Sequence, residues 1–497
     1  MIRVPGFEGR RVAVFGLGRS GLTAARALKA GGAEPILWDD SVSSRLQAEA
    51  EGFRVEDLAK ADWSDMAALV LSPGAPLTHP KPHWTVDKAS VAGVEFLGDV
   101  ELFARALAAF PKSERAFVIG ITGTNGKSTT TALTAWVLKQ AGRTVHMGGN
   151  IGIGVLALPE PTPDAVYVLE VSSYQLDLTA SFAPDVAILT NITPDHLDRH
   201  GDMAGYVAAK SRIFHAQGED GLALVGVDEP ETRAVVAGLT GRQLVTVSST
   251  AHPGGSRDRV RASSATSGSA QSASSNADHP KNWVPASAGM SGQVQASPGQ
   301  LLVNGNVVDL TRARSLPGRH NAQNAAFAYV AARAAGVSHE QAVEGLLTFP
   351  GLAHRMEEVA RIGRVRFIND SKATNADAAR QALASYPRVF WVAGGRAKAG
   401  GIDDLEDLFP RVEEAFLIGE SAGPFAASLR DTPHRISGDL PTAVRQAWEA
   451  ASATGREEVV LLSPAAASFD QFPDFEARGE AFRAAVLNLG STPPKHG

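Results

Sequence analysis

The stretch Ala116-Phe-Val-Ile-Gly-Ile-Thr-Gly-Thr-Asn-Gly-Lys-Ser-Thr-Thr130 decides the architecture of this chain. Its apolar run, Phe117 to Ile121, reads as a strand. A glycine-rich loop follows and closes on Gly126-Lys127-Ser128, and a helical pattern occupies Thr131 to Lys139. Strand, glycine loop and helix in that order make a cradle for a triphosphate. N–H groups of the loop and the helix terminus face the phosphates, and the helix end adds roughly half a positive charge. Lys127 is spaced to reach the β- and γ-phosphates, and Ser128 to offer its hydroxyl to Mg2+. The strict GxxxxGK[ST] spacing is not met, because Ile121 stands where the first glycine belongs and Gly120 comes one residue early. The competing reading is a structural strand-to-helix turn with an incidental lysine.

Outward from that loop, the whole chain of 497 residues has room for about three domains, and its 44% hydrophobic content suffices for several cores. A net charge of −6 over this length gives no electrostatic case for nucleic acid or an anionic membrane. The absence of cysteine rules out disulfides and thiolate metal sites, as a reducing compartment would allow. No apolar run approaches the roughly 18–20 residues that span a bilayer, and the first residues lack a signal-type apolar run. A cytoplasmic location and no membrane partner are expected.

The pattern predicts an α/β protein of three domains. Residues 1–97 alternate strand and helix signals: Arg11–Phe15, Pro35–Trp38 and Ala67–Leu71 as strands, with a helix over Ser20–Ala30. Such alternation argues for a parallel sheet with helices on both faces, a Rossmann-like unit. Residues 98–351 open with the phosphate loop and continue through strands at Ala165–Val171 and Asp185–Thr190, a P-loop-type ATPase unit. Residues 352–497 restart the rhythm at Arg364–Ile368, Arg388–Ala393, Ala415–Ile418 and Glu458–Leu462, a second Rossmann-like unit. One segment breaks the pattern. Between Val260 and Trp283 there is no Val, Ile, Leu, Met, Phe, Tyr or Trp, while seven serines fall between Ser263 and Ser275. Such a composition cannot bury enough apolar surface to offset its ordering entropy, so about 251–298 is expected to be a loosely held surface insertion.

Further polar clusters sit where strands end. Gly16-Leu-Gly-Arg-Ser-Gly21 follows the first strand, and Asp39 closes the next one 18 residues after Gly21. That is a dinucleotide-binding pattern in its strand–turn–helix context, and the same geometry suits a sugar-nucleotide diphosphate or a purely structural turn. Glu170 emerges from a buried strand, either as an Mg2+ ligand or as a hydrogen-bonded acid at the strand end. Asp195, His196, Asp198 and His200 form a metal site or a solvated loop, and Lys210, four positions after Tyr206, reads as an ordinary surface lysine. Asn321 and Asn324, three apart, share a helical face. His354-Arg355, Asn369 to Asn375 and Gly394-Gly-Arg-Ala-Lys398 each fall at a strand's end or in the turn after it, where open α/β sheets build their sites.

In order along the chain, Thr122-Gly-Thr-Asn-Gly-Lys-Ser-Thr129, Gly149-Asn150, Leu169-Glu170, Asn191-Ile-Thr-Pro-Asp-His196, Arg319-His-Asn321, His354-Arg-Met-Glu357 and Asn369-Asp-Ser-Lys-Ala-Thr-Asn375 resemble the Mur ligases, which build the peptide stem of peptidoglycan. The resemblance runs from about residue 10 to 485. Asn369 to Thr374, Gly394 to Lys398 and Leu462 to Phe472 are most similar to the D-glutamate-adding branch. The resemblance implies an ATP-dependent ligase that activates the carboxyl of UDP-N-acetylmuramoyl-L-alanine as an acyl phosphate, which the amine of D-glutamate attacks. It implies ATP contacts at Gly123, Thr124, Asn125, Gly126, Lys127, Ser128, Thr129, Asn321, Asn324, Arg355, Asp370 and Lys372. It implies two Mg2+ ions held through Ser128, Glu170 and His196, with Lys127, His196 and a carbamylated Lys210 as the catalytic set. Gly16, Leu17, Gly18, Arg19, Ser20, Asp39, Gly74, Asn150 and Ser172 would face the UDP-muramoyl-alanine, and Thr374, Lys398, Ser468, Phe469 and Phe475 the D-glutamate. A monomer is expected.

Two departures stand out. Asp39-Asp-Ser41 replaces the Asp-Thr-Arg of some members on the uracil side, and Arg396 is a new cation in the glutamate turn, where it could favour an acidic amino acid. A nicotinamide-dependent oxidoreductase would explain Gly16 to Gly21 but leave the phosphate loop and Asn369-Asp-Ser-Lys372 without a role. A non-catalytic nucleotide-binding module would release no ADP on adding an amino acid. Folylpolyglutamate synthases lack an N-terminal sugar-nucleotide domain of this type.

Overall fold

A computed structural model describes residues 1–249, 292–397 and 400–491. The described residues form three sheets. The first is fully parallel, in the order Arg54–Val55, Glu34–Trp38, Arg11–Phe15, Met66–Leu71, Glu95–Leu97. Its order reverses at Arg11–Phe15, so Gly16 leaves the sheet at the topological switch point, where such sheets take their ligands.

The second sheet has nine strands, with Phe117–Thr122 between Val186–Leu189 and Ala165–Glu170. Both pairings are parallel, so the three strands release Gly123, Asn191 and Val171 toward the same edge. Ala165–Glu170 and Val186–Leu189 are buried at every position, the run-on apolar pattern that a sheet covered on both faces requires. The helix after the phosphate loop begins at Lys127, four residues earlier than the apolar pattern indicated, because Thr130 N–H already bonds back to Gly126.

The expected insertion is shorter than 251–298. Gly292–Ser297 forms a strand that pairs in parallel with Gln243–Ser249 and antiparallel with Gln300–Val303. Val294 and Ala296 alternate into the core with polar residues between them, a period-2 signal hidden by the serine-rich context. Residues 250–291 lie outside the described residues.

The third sheet runs Glu357–Ile362, Val365–Asn369, Glu458–Leu462, Val389–Gly394, Val412–Ile418, His434–Gly438, antiparallel only at its first pair. Alternation along Val389–Gly394 sends Val389, Trp391 and Ala393 into one core cluster and Phe390 and Val392 into another, one on each face.

By compactness the chain forms two units, Met1–Val308 with Gln323–Leu346, and Asp309–Ala322 with Leu347–Gly497. The first two sheets share a unit because one core cluster runs from Ile2 to Val225. Helix Asp99–Ala108 joins them, packing on Arg19–Ala30 and on Ser173–Leu176. Its buried Asp99 accepts hydrogen bonds from Gln175 at 3.2 Å, and Glu101 accepts from the Ala180 and Ser181 amides at 2.8 and 2.9 Å. No helix among the described residues is long and apolar enough to cross a membrane.

Candidate active site

The phosphate loop is held from beneath by the neighbouring strand end. Asn191 accepts from the Asn125 amide at 2.8 Å and donates to the Asn125 carbonyl at 3.1 Å, and the Thr190 hydroxyl donates to that carbonyl at 2.7 Å. Two glycines are obligatory. Gly123 has φ +146°, and a Cβ there would stand 1.9 Å from Thr190 Oγ1; Gly126 has φ +79°, and a Cβ would stand 2.6 Å from Asn324 Oδ1. Asn324 accepts from Thr130 at 3.2 Å, which ties the helix Gly318–Ala334 to the loop. Ile121 is fully buried within the strand, so the loop turns at Gly123 and needs no glycine at 121. Lys127 Nζ donates to the Thr124 carbonyl at 2.7 Å.

Around this loop stand three groups of unusual environment. Glu170 is 2% exposed; its Oε1 accepts from Asn150 Nδ2 at 2.7 Å, while its buried Oε2 has no hydrogen-bond partner. Lys210 is not the surface lysine its helical context suggested. It is 2% exposed, donates to the Gly123 carbonyl at 2.7 Å and lies 4.6 Å from the centroid of the Tyr206 ring. Burial, and then the charge of Lys127, push its pKa well below the ordinary lysine value, against the pull of Asp195 and Glu170. The helix carrying it is capped by Asp202 and buries Tyr206, Ala209 and Lys210 on one side, so the burial of Lys210 follows the helical spacing and not its residue type. His196 sits in left-handed backbone at φ 54°, with Nδ1 2.7 Å from the Tyr174 hydroxyl and Nε2 3.4 Å from Asp195. Ser128 and Thr129 are buried in the first turn of the loop's helix.

On the first sheet, Gly16 has φ +86°, and a Cβ there would meet Ser72 Cβ at 2.4 Å. Asp39 is committed to the turn: its two oxygens accept from the amides of Leu17 at 2.6 Å and Ser41 at 2.7 Å. Leu17 is itself core, 2% exposed, and Ser20 bonds Asp99, so these two positions offer a ligand their backbone first. The side chain of Arg19 lies outside the described residues. Gly74 presents its carbonyl to Arg199 at 3.0 Å, and Ser172 caps the short helix Ser173–Leu176 in a capping box with Gln175.

In the second unit, Asp370 is buried, accepting from Ser463 Oγ at 2.9 Å and from the Met356 amide at 3.3 Å. Burial outweighs those bonds and the nearby Arg355, and its pKa is pushed up to about 7. Lys372 Nζ lies 3.7 Å from the centroid of the Phe475 ring. Gly394 and Gly395, at φ +124° and +134°, allow close approach to the Ile418 and Ala467 carbonyls. Ser468 is buried, Phe469 is 65% exposed, and Lys398 lies outside the described residues. The new cation Arg396 is not free to attract an acid, because it pairs with Glu420 at 3.0 and 3.1 Å. Asn321 donates to Pro317 at 2.9 Å.

Sequence reasoning missed Arg478. Only 1% exposed, it binds Ser371 through Nε at 3.0 Å and Nη2 at 2.8 Å, and the Ala466 carbonyl through Nη1 at 3.0 Å. It thereby clamps the loop 369–375 to the loop 462–472. The only sequence signal was the Gly479 beside it, whose Cβ would fall 2.1 Å from His354 Nδ1 and so marks a crowded backbone.

A parallel-sheet protein with a triphosphate loop, a buried acid at the next strand end and a desolvated lysine behind the loop is a nucleotide-dependent enzyme of the P-loop type. The sequence matches the Mur ligase middle domain over residues 121–332 and the Mur ligase glutamate ligase domain over 354–466. It is 57% identical over 499 residues to UDP-N-acetylmuramoylalanine–D-glutamate ligase of Caulobacter vibrioides, covering 98% of both chains. It is 55% identical to the enzyme of that name from Phenylobacterium zucineum, again covering 98% of each. The fold is shared with the MurF ligase of Thermotoga maritima, solved with ADP, at a TM-score of 0.55 and 16% identity over 98% of this chain and 96% of that one. The chain belongs to the Mur ligase family.

Proposed function

We propose that this protein is an ATP-dependent ligase joining D-glutamate to the alanyl carboxyl of UDP-N-acetylmuramoyl-L-alanine, a step of peptidoglycan precursor synthesis. One observation carries the reading. In a chain 57% identical along its length to enzymes named for that reaction, a phosphate loop, a buried acid and a desolvated lysine meet at one sheet edge.

The chemistry begins with a carboxylate oxygen attacking the γ-phosphorus; the bond to the β-phosphate oxygen breaks and ADP leaves with the electron pair. The amine of D-glutamate, freed of its proton, then attacks the carbonyl carbon, and the tetrahedral adduct expels phosphate. Two anions must meet, so charge neutralisation dominates. Lys127 supplies it by exchanging the Thr124 carbonyl for the β- and γ-phosphates, and the loop amides from Gly123 to Thr129 cradle the rest. The unpartnered buried oxygen of Glu170 is an environment that suits a cation. Ser128, Glu170 and His196 would hold two Mg2+ ions, which add positive charge between triphosphate and carboxylate. Among the described residues no three acidic or histidine side chains are grouped so as to hold a metal ion by themselves, so phosphate oxygens and water would complete the coordination. The amine of Lys210, in its neutral form, would take up CO2, forming an N–C bond and releasing a proton, and so become an anionic carbamate.

On this reading residues 1–97, 98–351 and 352–497 serve the sugar nucleotide, ATP and the amino acid, in a cytoplasmic monomer. Gly16 to Ser20, Asp39, Gly74, Asn150 and Ser172 contact the UDP-muramoyl-alanine; Asn321, Asn324, Arg355, Asp370 and Lys372 the nucleotide; Thr374, Lys398, Ser468, Phe469 and Phe475 the D-glutamate. The test is phosphate release with ATP, UDP-N-acetylmuramoyl-L-alanine and each of D-Glu, L-Glu, L-Lys and glycine. Release is expected with D-Glu alone; equal release with L-Glu or L-Lys overturns the substrate assignment.

A further inference from the structure

His196 would be a poor ligand if its ring could turn. Its backbone is strained and the ring is partly exposed, so something must fix the imidazole plane. The Tyr174 hydroxyl lies 2.7 Å from Nδ1. When Nδ1–H donates to that oxygen, Nε2 keeps its lone pair and faces the side on which Asp195 stands at 3.4 Å. Metal-binding histidines are oriented in this way by an acceptor on the far nitrogen.

Tyr174 is itself fixed. The Arg199 guanidinium lies 4.5 Å from its ring centroid, and His200 stacks on it at 5.5 Å and 25°. His200 is buried and held by Ser173 at 3.0 Å and Asp177 at 3.2 Å. Arg199 in turn donates to the carbonyls of Pro73, Gly74 and Ala75 at 3.3, 3.0 and 3.1 Å. A planar guanidinium anchored on three carbonyls has little freedom, so it sets the plane of the ring stacked on it. The chain of contacts runs from a turn of the first sheet to the imidazole beside the phosphate loop.

We propose that Tyr174 and Arg199 are positioning residues for His196: Tyr174 orients the imidazole directly, and Arg199 acts through Tyr174 by anchoring it to the turn Pro73–Ala75. The proposal rests on His196 being a metal ligand. It is tested by titrating the full-length protein with Mn2+ in the presence of a non-hydrolysable ATP analogue, reading free Mn2+ by electron paramagnetic resonance. His196→Ala tests the ligand assignment itself and is expected to weaken Mn2+ binding; unchanged binding overturns that assignment and this proposal with it. Where His196→Ala does weaken binding, Tyr174→Phe is expected to raise the Mn2+ dissociation constant about tenfold or more. It keeps both ring contacts, and an unchanged circular dichroism melt excludes a folding defect. Arg199→Met should show a smaller rise, and the double variant should match Tyr174→Phe alone, because two residues in one chain of action are not additive. Wild-type Mn2+ affinity in Tyr174→Phe overturns the orienting role, and additive losses in the double variant overturn the route through Tyr174.

Discussion

Lysine is rarely left inside a protein without an opposite charge, because its ammonium loses hydration there; an amine in such a place is driven toward its neutral form. Burial drives Lys210 in that direction, against the pull of Asp195 and Glu170, and a neutral amine is the form that captures CO2. Lys210→Ala should therefore be nearly inactive, and a short carboxylic acid added in solution should restore part of the turnover by replacing the carbamate oxygens. A Lys210→Ala enzyme with ordinary turnover refutes the role. Lys127 has a different part in the proposal, in which its cation offsets charge that builds on the transferring phosphoryl group. Lys127→Ala should lower kcat by about 10²–10³-fold with an unchanged melt, and near-native turnover would remove the phosphate-loop assignment. Asp370 offers a pH signature. Its folded pKa, about 7, lies above the value of 3.8 expected when unfolded. Between those values the folded protein holds a proton that the unfolded chain has lost, so its contribution to stability falls as pH rises from about 4 to 7. Asp370→Asn should flatten that slope in denaturant midpoints measured across the window; an identical slope in the variant contradicts the assignment.

Elements were legible where local pattern and burial agree. Phe117–Thr122, Ala165–Glu170 and Glu458–Leu462 announced themselves as apolar runs, because strands covered on both faces have no polar side to show. Gly292–Ser297 was hidden, since only two of its residues turn inward. That strand lies parallel to Gln243–Ser249, so the end of the one and the start of the other are about one strand length apart, about 20 Å. Residues 250–254 with 281–291 would span that distance even without 255–280, at about 3.3 Å per extended residue. Deleting 255–280 should accordingly leave the thermal midpoint and turnover close to those of the full chain. A drop in the midpoint of several degrees would show that this segment contributes to the fold.

At the scale of the molecule, the three-sheet α/β architecture followed from the recurrence of strand, turn and helix, and the candidate site residues were chosen by the rule that open sheets bind ligands at their carboxyl edges. Burial of single polar residues did not follow. Lys210 and Arg478 are long cations, which by residue type belong at the surface, and only tertiary packing reveals that their side of each helix is enclosed. The pairing of Arg396 with Glu420 was equally invisible, because the two lie 24 positions apart with no periodic link. The central claim is that ATP activates a carboxylate on which an amine then acts, and oxygen tracing tests it most directly. With 18O in both alanyl carboxylate oxygens of the UDP-substrate, turnover in the presence of D-glutamate should transfer one 18O to each phosphate released. The acyl phosphate takes its bridging oxygen from the carboxylate, and the phosphate carries it away when the amide forms. Phosphate without 18O would mean that water, and not the carboxylate, had attacked ATP, and would contradict the account.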